Sequence, residues 1–304
     1  TDMTGGPLSE SIIINFTKYL NHIKDVGKNT ATAEPGVYYR DFEKETLRHN
    51  RILPSYPASR EICAVGGMVA NNSGGEKTLT YGKTEDYIEE LKVILADGNE
   101  YTFYPLNKKE LQQKLKQKDF EGKIYQKIYK LIKDNQQLLK KAKPKVSKNS
   151  SGYYLWNVWD GKTFDLTKLF VGSQGTLGII SEIKFRLIQP KEYSKLLVIF
   201  INDLNILAKL TNKVLEHKPE SFETFDDNTL KLGMRYMFWR FSWQFIPEIA
   251  LIIRNFFRFP QLVLLAEFTG NSKEEVMKKA QRAQKAIASF NIPTRVTISN
   301  RDTK

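Results

Sequence analysis

The sequence predicts an α+β protein of two domains, and three features support this fold class. Short alternating apolar segments, typical of strands, are interspersed with amphipathic segments, typical of helices, along the chain of 304 residues. An Asp97-Gly98 pair between two such strands predicts a β-hairpin. After Pro190 the order becomes strand, helix, strand, and this order occurs twice, as in an α/β sandwich. We therefore expect one domain at residues 1–190 and a second at 191–304.

The first domain is predicted to open with strands and a helix. SIIINF (residues 11–16) and TATAEPGV (residues 30–37) are interpreted as two short strands, and YYRDFEKETLRHN (residues 38–50) as an amphipathic helix. DYIEELKVILADGNEYTFY (residues 86–104) forms the predicted hairpin. Lysine-rich helices follow at residues 108–148, and FVGSQGTLGIISEIKFRLI (residues 170–188) is interpreted as a glycine-rich strand pair.

The second domain is predicted to be a sandwich of helices on a sheet. KLLVIFI is a strand, Asp203 is the N-cap of the next helix, and ESFETF is a strand. QLVLLAEF, SKEEVMKKAQRAQKAIASF and TRVTIS repeat the order. The apolar residues 237–259 are interpreted as an insertion between the two units.

Composition excludes several functions. The formal charge of +13 comes largely from lysines spread over helices, and no nucleic-acid motif accompanies it, so we expect no nucleic-acid partner. Cys63 is the single cysteine, which excludes an internal disulfide and fits a reducing compartment. Residues 1–11 contain no secretory signal, and charges and prolines interrupt the apolar residues 237–268. We expect a cytoplasmic protein, with peripheral contact to the cytoplasmic face of a membrane left open.

Four familiar sites are absent from the sequence. Lys77 stands where a P-loop needs its first glycine, and Ser173 replaces the second glycine of a dinucleotide fingerprint. The three histidines show no metal-ligand spacing, and no G-x-S-x-G elbow is present.

Glycine-rich segments provide the strongest functional signal. GGMVANNSGG (residues 66–75) combines glycines, which let a ligand approach the backbone, with the short polar arms of Asn and Ser. The longer segment around it is YPASREICAVGGMVANNSGGEKTLTYG (residues 56–82). Together with TDMTGG (residues 1–6), NSSGY (residues 149–153) and GSQGTLGIISE (residues 172–182), this segment resembles the FAD-binding domain of PCMH-type flavoproteins of the vanillyl-alcohol oxidase superfamily. The similarity is greatest to FAD-linked D-2-hydroxyacid dehydrogenases, namely the D-lactate dehydrogenases and the flavin subunit of glycolate oxidase. It covers residues 1 to about 190 strongly, while residues 191–304 resemble the start of the family's ferredoxin-like cap domain.

The resemblance implies a non-covalent FAD site. Backbone N–H groups at glycine turns would hold the pyrophosphate in nest-like concavities, because no Cβ blocks the approach. Cys63, among apolar neighbours, is expected to be a buried structural thiol. The expected cofactor-binding residues are Thr1, Asp2, Thr4, Pro57, Ser59, Gly66, Gly67, Asn71, Asn72, Ser73, Gly74, Tyr81, Gly82, Gly175, Thr176, Leu177, Gly178, Ile179 and Ile180.

The resemblance also implies a reaction, the oxidation of a small D-2-hydroxy acid such as D-lactate or glycolate. Electrons would pass to a quinone, a cytochrome or an iron–sulfur protein. Arg235, Arg240 and Arg254 are candidates for holding the substrate carboxylate, the catalytic base is unassigned, and no metal ligands are predicted. Relative to the family pattern, the chain is expected to be a fragment incomplete at its N-terminus, with a possible divalent-metal site in a missing C-terminal part. Two alternatives stay open: a basic non-catalytic binding module for nucleic acid or anionic membrane, and a degenerate scaffold without cofactor.

Overall fold

The computed structural model describes residues 10–146, 148–238 and 260–297. The chain divides into two compact units, residues 1–190 and 191–304. The predicted α+β class is confirmed, and each unit is described separately below.

The first unit contains a five-stranded sheet in which every pair of neighbours is antiparallel. Its strand order is β1-β2-β5-β3-β4, so β5 is the central strand and β3 is its neighbour. Residues 66–75 precede β3 in the chain, and the loop at residues 172–178 leads directly into β5. In chain order the elements are α1 (Phe16–Tyr19), β1 (Ile23–Val26), β2 (Thr30–Ala33), α2 (Tyr39–Arg48), α3 (Val65–Ala70), α4 (Thr78–Tyr81), a 3-10 helix (Thr84–Tyr87), β3 (Ile88–Ile94), β4 (Glu100–Phe103), α5 (Lys108–Lys116), α6 (Phe120–Asp134), α7 (Gln136–Ala142), α8 (Leu155–Val158), α9 (Thr167–Phe170) and β5 (Ile179–Arg186).

Several predicted elements are confirmed here. The strand at residues 30–33, the helix in residues 38–50 and the hairpin are all present, and Gly98 in the hairpin turn has a φ of +81°. Helices of the lysine-rich region begin at polar caps: the side chain of Asn107 accepts hydrogen bonds from the backbone of α5, and that of Asp119 does so for α6. Most of their apolar residues pack on the core and most of their lysines lie in solvent, but Lys114 is partly buried in an ion pair with Glu121.

Two predicted elements are wrong. SIIINF (residues 11–16) is not a strand; the side chains of Ile12, Ile13 and Ile14 are exposed, and the first strand of the sheet is β1. The segment at residues 170–188 holds one strand, β5, because Phe170 ends α9 and the glycines after it form a loop. In both places the sequence has the β-branched or alternating pattern of a strand, but the segment has no neighbouring strand to pair with in the described sheet.

The second unit is a four-stranded antiparallel sheet with two helices packed on one face. Asp203 caps the helical segment after the first strand, as predicted, through a hydrogen bond from Asn205 N. The order β7-β8-β6-β9 is that of a ferredoxin-like βαββαβ unit, and α11 follows β7 as an addition to it. Its elements are β6 (Tyr193–Ile201), a 3-10 helix (Leu204–Ile206), α10 (Leu207–Leu215), β7 (Ser221–Asp226), α11 (Asp227–Phe238), β8 (Leu262–Gly270), α12 (Lys273–Ala286), a 3-10 helix (Ala288–Phe290) and β9 (Thr294–Val296).

The predicted insertion at residues 237–259 lies, beyond Phe238, outside the described residues. Within the described ranges, no helix combines the length and the apolar character that a membrane span requires.

Candidate functional site

The folding of the first unit brings three of the glycine-rich segments together. The loop that starts at Gly172 binds the end of α3 through two backbone hydrogen bonds, from Gly172 N to Val69 O at 2.9 Å and from Gln174 N to Ala70 O at 2.9 Å. Residues 149–154 touch both segments: Ser150 Oγ donates to Asn72 O at 3.1 Å, and Tyr153 Oη lies 2.7 Å from Thr176 Oγ1. Contacts between residues 78 and 23 positions apart in sequence therefore bring these segments together in one region.

The start of GGMVANNSGG differs from the predicted open turn. Gly66 and Gly67 lie in the first turn of α3, a helix of six residues. Gly66 donates its backbone N–H to Pro35 O at 2.8 Å, so this donor is used by the fold, which corrects its predicted role as a ligand donor. A Cβ on Gly66 would lie 2.5 Å from Pro35 Cβ, and its glycine is thus required for packing.

Residues 72–78, at the end of the segment and just after it, contain buried polar atoms without partners. Among the described residues, Asn72 Nδ2, Ser73 Oγ and Thr78 Oγ1 are buried and make no hydrogen bond, and Gln117 Oε1 is a further such atom elsewhere in the chain. Buried polar groups in folded proteins are nearly always hydrogen-bonded, and leaving one unsatisfied costs about 1–3 kcal/mol. Three such atoms within seven residues form a set that a polar ligand could satisfy. A dinucleotide, rich in phosphate and hydroxyl groups, fits this set.

The orientation of Asn72 is fixed by its neighbours. Its Oδ1 accepts a hydrogen bond from Glu85 N at 3.0 Å, which leaves the amide nitrogen as the unpaired end. Its φ of +47° lies in the left-handed region, where asparagine is tolerated better than most residues.

Two glycines beside these atoms have different roles. A Cβ on Gly74 would lie 2.4 Å from the unpaired Thr78 Oγ1, so the absence of a side chain leaves room beside that buried hydroxyl. A Cβ on Gly75 would lie 2.5 Å from Tyr56 O and 3.0 Å from Pro57 Cα, so this glycine serves close packing.

The loop before β5 has a different character. Gly172, Gln174 and Gly175 have positive φ, and a Cβ on Gly175 would meet nothing within 4 Å. Gly178 instead packs on the sheet, because its Cβ would lie 2.6 Å from Val93 Cγ1.

Side chains of the same segment divide between surface and core. Those of Leu177 and Ile179 are more than one-third exposed, and so is that of Tyr153, whose hydroxyl contacts the neighbouring Thr176. Ile180 is buried, and its strand pairs with Val93 of β3. An exposed apolar strip thus follows the positive-φ loop, whereas Ile180 is part of the core.

Several other predicted cofactor-binding residues have structural roles in turns and helix ends. Tyr81 O accepts the hydroxyl of Tyr87 at 2.8 Å, and Gly82, with a φ of +76°, closes α4. Asn71 is the C-cap of α3. Pro57 is buried, and Ser59 O accepts hydrogen bonds from Ile62 N and Cys63 N, which makes Ser59 part of a turn.

Some predicted residues do not join this region. Thr1, Asp2, Thr4, Arg240 and Arg254 lie outside the described residues. Arg235 is exposed on α11 of the second unit.

A buried charged network behind Asn72 was not predicted from the sequence. Lys83 Nζ lies 2.9 Å from Glu85 Oε1, and the side chains of both residues are less than 10 % exposed. Burial, the largest influence, lowers the pKa of Lys83, but hydrogen bonds to Glu85 and Tyr154 outweigh it and raise that pKa above its ordinary value. The lysine therefore stays charged inside the domain. In the sequence it stood inside the failed P-loop pattern, and its real partners, at residues 85, 149 and 154, showed no spacing signal.

The groups that could attach a flavin covalently or bind a metal lie elsewhere. Cys63 is buried in the core of the first unit, and His22 Nδ1 lies 2.8 Å from Glu34 Oε2. Within the described ranges, no three His, Cys, Asp or Glu side chains are grouped as metal ligands.

A separate cavity of about 360 Å³ lies between α6, α7 and α8. Leu139, Trp156, Trp159 and Lys140 are among its lining residues. None of the predicted cofactor residues lines it, so it is distinct from the region around Asn72.

Comparison with known proteins identifies the domain type. Residues 1–104 match the family model described as an FAD-binding domain. D-2-hydroxyglutarate dehydrogenase of Pseudomonas putida is 24% identical over 285 residues, which is 92% of this chain and 28% of that protein. Glycolate oxidase subunit GlcD of Bacillus subtilis is 28% identical over 236 residues, covering 76% of this chain and 39% of its own length. D-lactate dehydrogenase of Anaerostipes hadrus is 24% identical, covering 94% and 49%. The chain thus spans from about a quarter to half of these relatives.

Solved structures share the fold at low identity. Alkyldihydroxyacetonephosphate synthase superimposes with a TM-score of 0.62 at 15% identity, covering 93% of this chain and 43% of the other. p-Cresol methylhydroxylase with substrate bound gives a TM-score of 0.54 at 16% identity, covering 91% and 47%.

Proposed function

We propose that the protein, whose residues 1–104 match an FAD-binding domain, oxidises a D-2-hydroxy acid with FAD as its cofactor. The oxidoreductase class is shared by the dehydrogenases and the oxidase subunit that the chain resembles. The substrate class rests on those relatives' names, which include D-lactate and D-2-hydroxyglutarate dehydrogenases. FAD, when bound, would supply the hydride acceptor for oxidation of the CH–OH group.

The observation that supports a cofactor site most strongly is the group of unpaired atoms at Asn72, Ser73 and Thr78. Asn72 Nδ2 is a donor, and the two hydroxyl groups can each donate or accept. This set suits phosphate and ribose oxygens. We propose that these three residues, with Gly74 keeping the approach open, hold the pyrophosphate part of FAD.

The exposed strip around Leu177 and Ile179 suits an apolar part of the same ligand. Burial of apolar surface is favourable by about 25 cal/mol per Å², so an aromatic ring lying on Leu177, Ile179 and Tyr153 would stabilise binding. We place the cofactor across both regions. They are joined by the hydrogen bond from Ser150 Oγ to Asn72 O, and Ser150 lies in the same segment as Tyr153, which contacts Thr176.

We further propose that FAD is bound without a covalent link. The thiol of Cys63 is buried in the core, and His22 and His49 lie outside the converging segments. Acid precipitation of the flavin-loaded protein should therefore release all flavin into the supernatant; yellow colour retained in the pellet would contradict this.

The function is tested by reduction of the bound flavin. The 304-residue chain, reconstituted with FAD and kept without oxygen, is mixed separately with D-lactate, glycolate and D-2-hydroxyglutarate, with L-lactate as the stereochemical control. We expect at least one D-acid or glycolate to bleach the visible flavin band, and L-lactate not to do so. Bound FAD that no hydroxy acid reduces, although dithionite does, would contradict the proposed activity of this chain.

A further inference from the structure

The segment at residues 149–154, here called the strap, contacts two loops of the proposed FAD site and the buried Lys83 beside it. Ser150 Oγ donates to Asn72 O at 3.1 Å. The neighbouring Tyr153 Oη lies 2.7 Å from Thr176 Oγ1. Lys83 Nζ donates to Asn149 O and also to Tyr154 Oη, the latter at 3.1 Å. One short segment thus connects the loop after α3, the loop before β5 and the buried lysine.

Lys83 is the centre of this connection. Its Nζ lies 2.9 Å from Glu85 Oε1 and 4.6 Å from the centre of the Tyr154 ring. Glu85 in turn donates its backbone N–H to Asn72 Oδ1 at 3.0 Å, while Asn157 Nδ2 donates to Glu85 Oε2 at 3.1 Å. Each group of the network is bound on more than one side, and the network ends on the side chain whose amide nitrogen is unpaired.

A buried ion pair is weak grounds for a purely stabilising role. Apolar residues of the same shape often stabilise an interior as well or better, because two charges lose their hydration on burial. A role in specifying one geometry accounts better for the placement of this pair. The geometry that it specifies is that of Asn72 and of the strap.

We propose that Lys83 and Ser150 are positioning residues that hold Asn72, through the strap and Glu85, in the orientation that presents its Nδ2 to the cofactor. This inference rests on the proposed FAD site and adds to it residues that do not themselves touch the ligand. Loss of Ser150 Oγ removes support from the backbone of Asn72. Loss of Lys83 Nζ releases the strap from the residues beside Asn72.

The test measures FAD affinity and apoprotein stability separately. Apoprotein of the full chain is titrated with FAD, following quenching of flavin fluorescence, and its unfolding midpoint in urea is measured without FAD. Ser150→Ala is compared with Ser151→Ala, because Ser151 is exposed and its hydrogen bond to Asn149 Oδ1 comes from its backbone N–H and not from its hydroxyl. Ser150→Thr, which keeps the hydroxyl, is the rescue variant.

Lys83→Met has its own matched control in the same domain. Lys114 Nζ lies 2.5 Å from Glu121 Oε1 and 5.5 Å from the ring of Tyr125, so it also joins a carboxylate and a tyrosine ring, away from the strap. Lys114→Met should lower stability without changing FAD affinity. Lys83→Met should weaken FAD binding by about 10- to 100-fold, by analogy with the loss in metal affinity when a group that orients a metal ligand is removed.

The outcomes separate this inference from the proposed function. Weaker FAD binding by about fivefold or more in Ser150→Ala, restored in Ser150→Thr and absent in Ser151→Ala, would support the positioning role even if Lys83→Met does not fold. Wild-type affinity in Ser150→Ala, or equal loss in the two serine variants, would overturn it while leaving the FAD site in place. A wild-type chain that binds no FAD would overturn both.

Discussion

The substitution Thr78→Val tests whether the hydroxyl of Thr78 binds a ligand or stabilises the fold. Valine has nearly the shape of threonine, so no cavity forms and only the hydroxyl is lost. Thr78 Oγ1 is buried without a hydrogen-bond partner in the described structure. Removing an unsatisfied hydroxyl should leave the free energy of unfolding of the apoprotein unchanged or raise it by up to about 1 kcal/mol.

The same substitution should weaken the binding of FAD. A hydrogen bond to a charged group contributes about 1.5–3 kcal/mol, and every 1.4 kcal/mol corresponds to a factor of ten in the dissociation constant. If Thr78 Oγ1 binds a phosphate oxygen, Thr78→Val should raise the FAD dissociation constant roughly 10- to 150-fold. Fluorescence titration of the apoprotein and urea unfolding measure the two effects.

Thr46→Val is the control, since Thr46 is fully buried and its Oγ1 donates to Glu43 O at 3.1 Å. It should destabilise the apoprotein by about 0.5–1.5 kcal/mol and leave FAD affinity unchanged. The reasoning is refuted if Thr78→Val destabilises the apoprotein as Thr46→Val does and binds FAD with wild-type affinity.

Two further predictions concern the fold and its pH dependence. Gly178→Ala should lower the free energy of unfolding by about 1–3 kcal/mol, because the new Cβ would lie 2.6 Å from Val93 Cγ1. Gly175→Ala has open space around the new Cβ and should lower it by about 1 kcal/mol, from the positive φ alone. Equal losses in urea unfolding would contradict this difference. Burial raises the pKa of Asp165 despite its hydrogen bonds from Thr167, so this carboxyl stabilises the protein below its unfolded-state pKa and the contribution is lost as pH rises through its folded-state pKa. Asp165→Asn should therefore reduce the loss of unfolding free energy between acidic and neutral pH. If the urea midpoints of this variant depend on pH as those of the wild type do, the carboxyl is not desolvated.

Local sequence signals predicted the regular elements where pattern and tertiary context agree. The Asp97-Gly98 turn and the Asp203 cap are examples, since both depend on backbone geometry within a few residues. Residues 12–14 show the opposite case: three isoleucines in sequence favour a strand, but strand formation needs a neighbouring strand, and the sheet begins later at β1.

The candidate site was predictable in part. The glycine-rich segments could be located because their composition is unusual and because their order resembles a known family. The sequence could not distinguish the roles of Gly66 and Gly74. Gly66 packs on Pro35, which is distant in the chain, whereas Gly74 leaves room for the side chain of Thr78, whose placement is known only from the structure. Lys83 was invisible for the same reason: its contacts with Asn149 and Tyr154 span more than 60 residues.

Hydrogen–deuterium exchange of the chain with and without FAD tests most directly whether these separated segments form one cofactor site. FAD should slow exchange in peptides covering residues 66–78, 149–154 and 172–180 together, while peptides from residues 108–134 should exchange as before. Saturating FAD that protects none of these three segments, or that protects only one of them, would contradict the account.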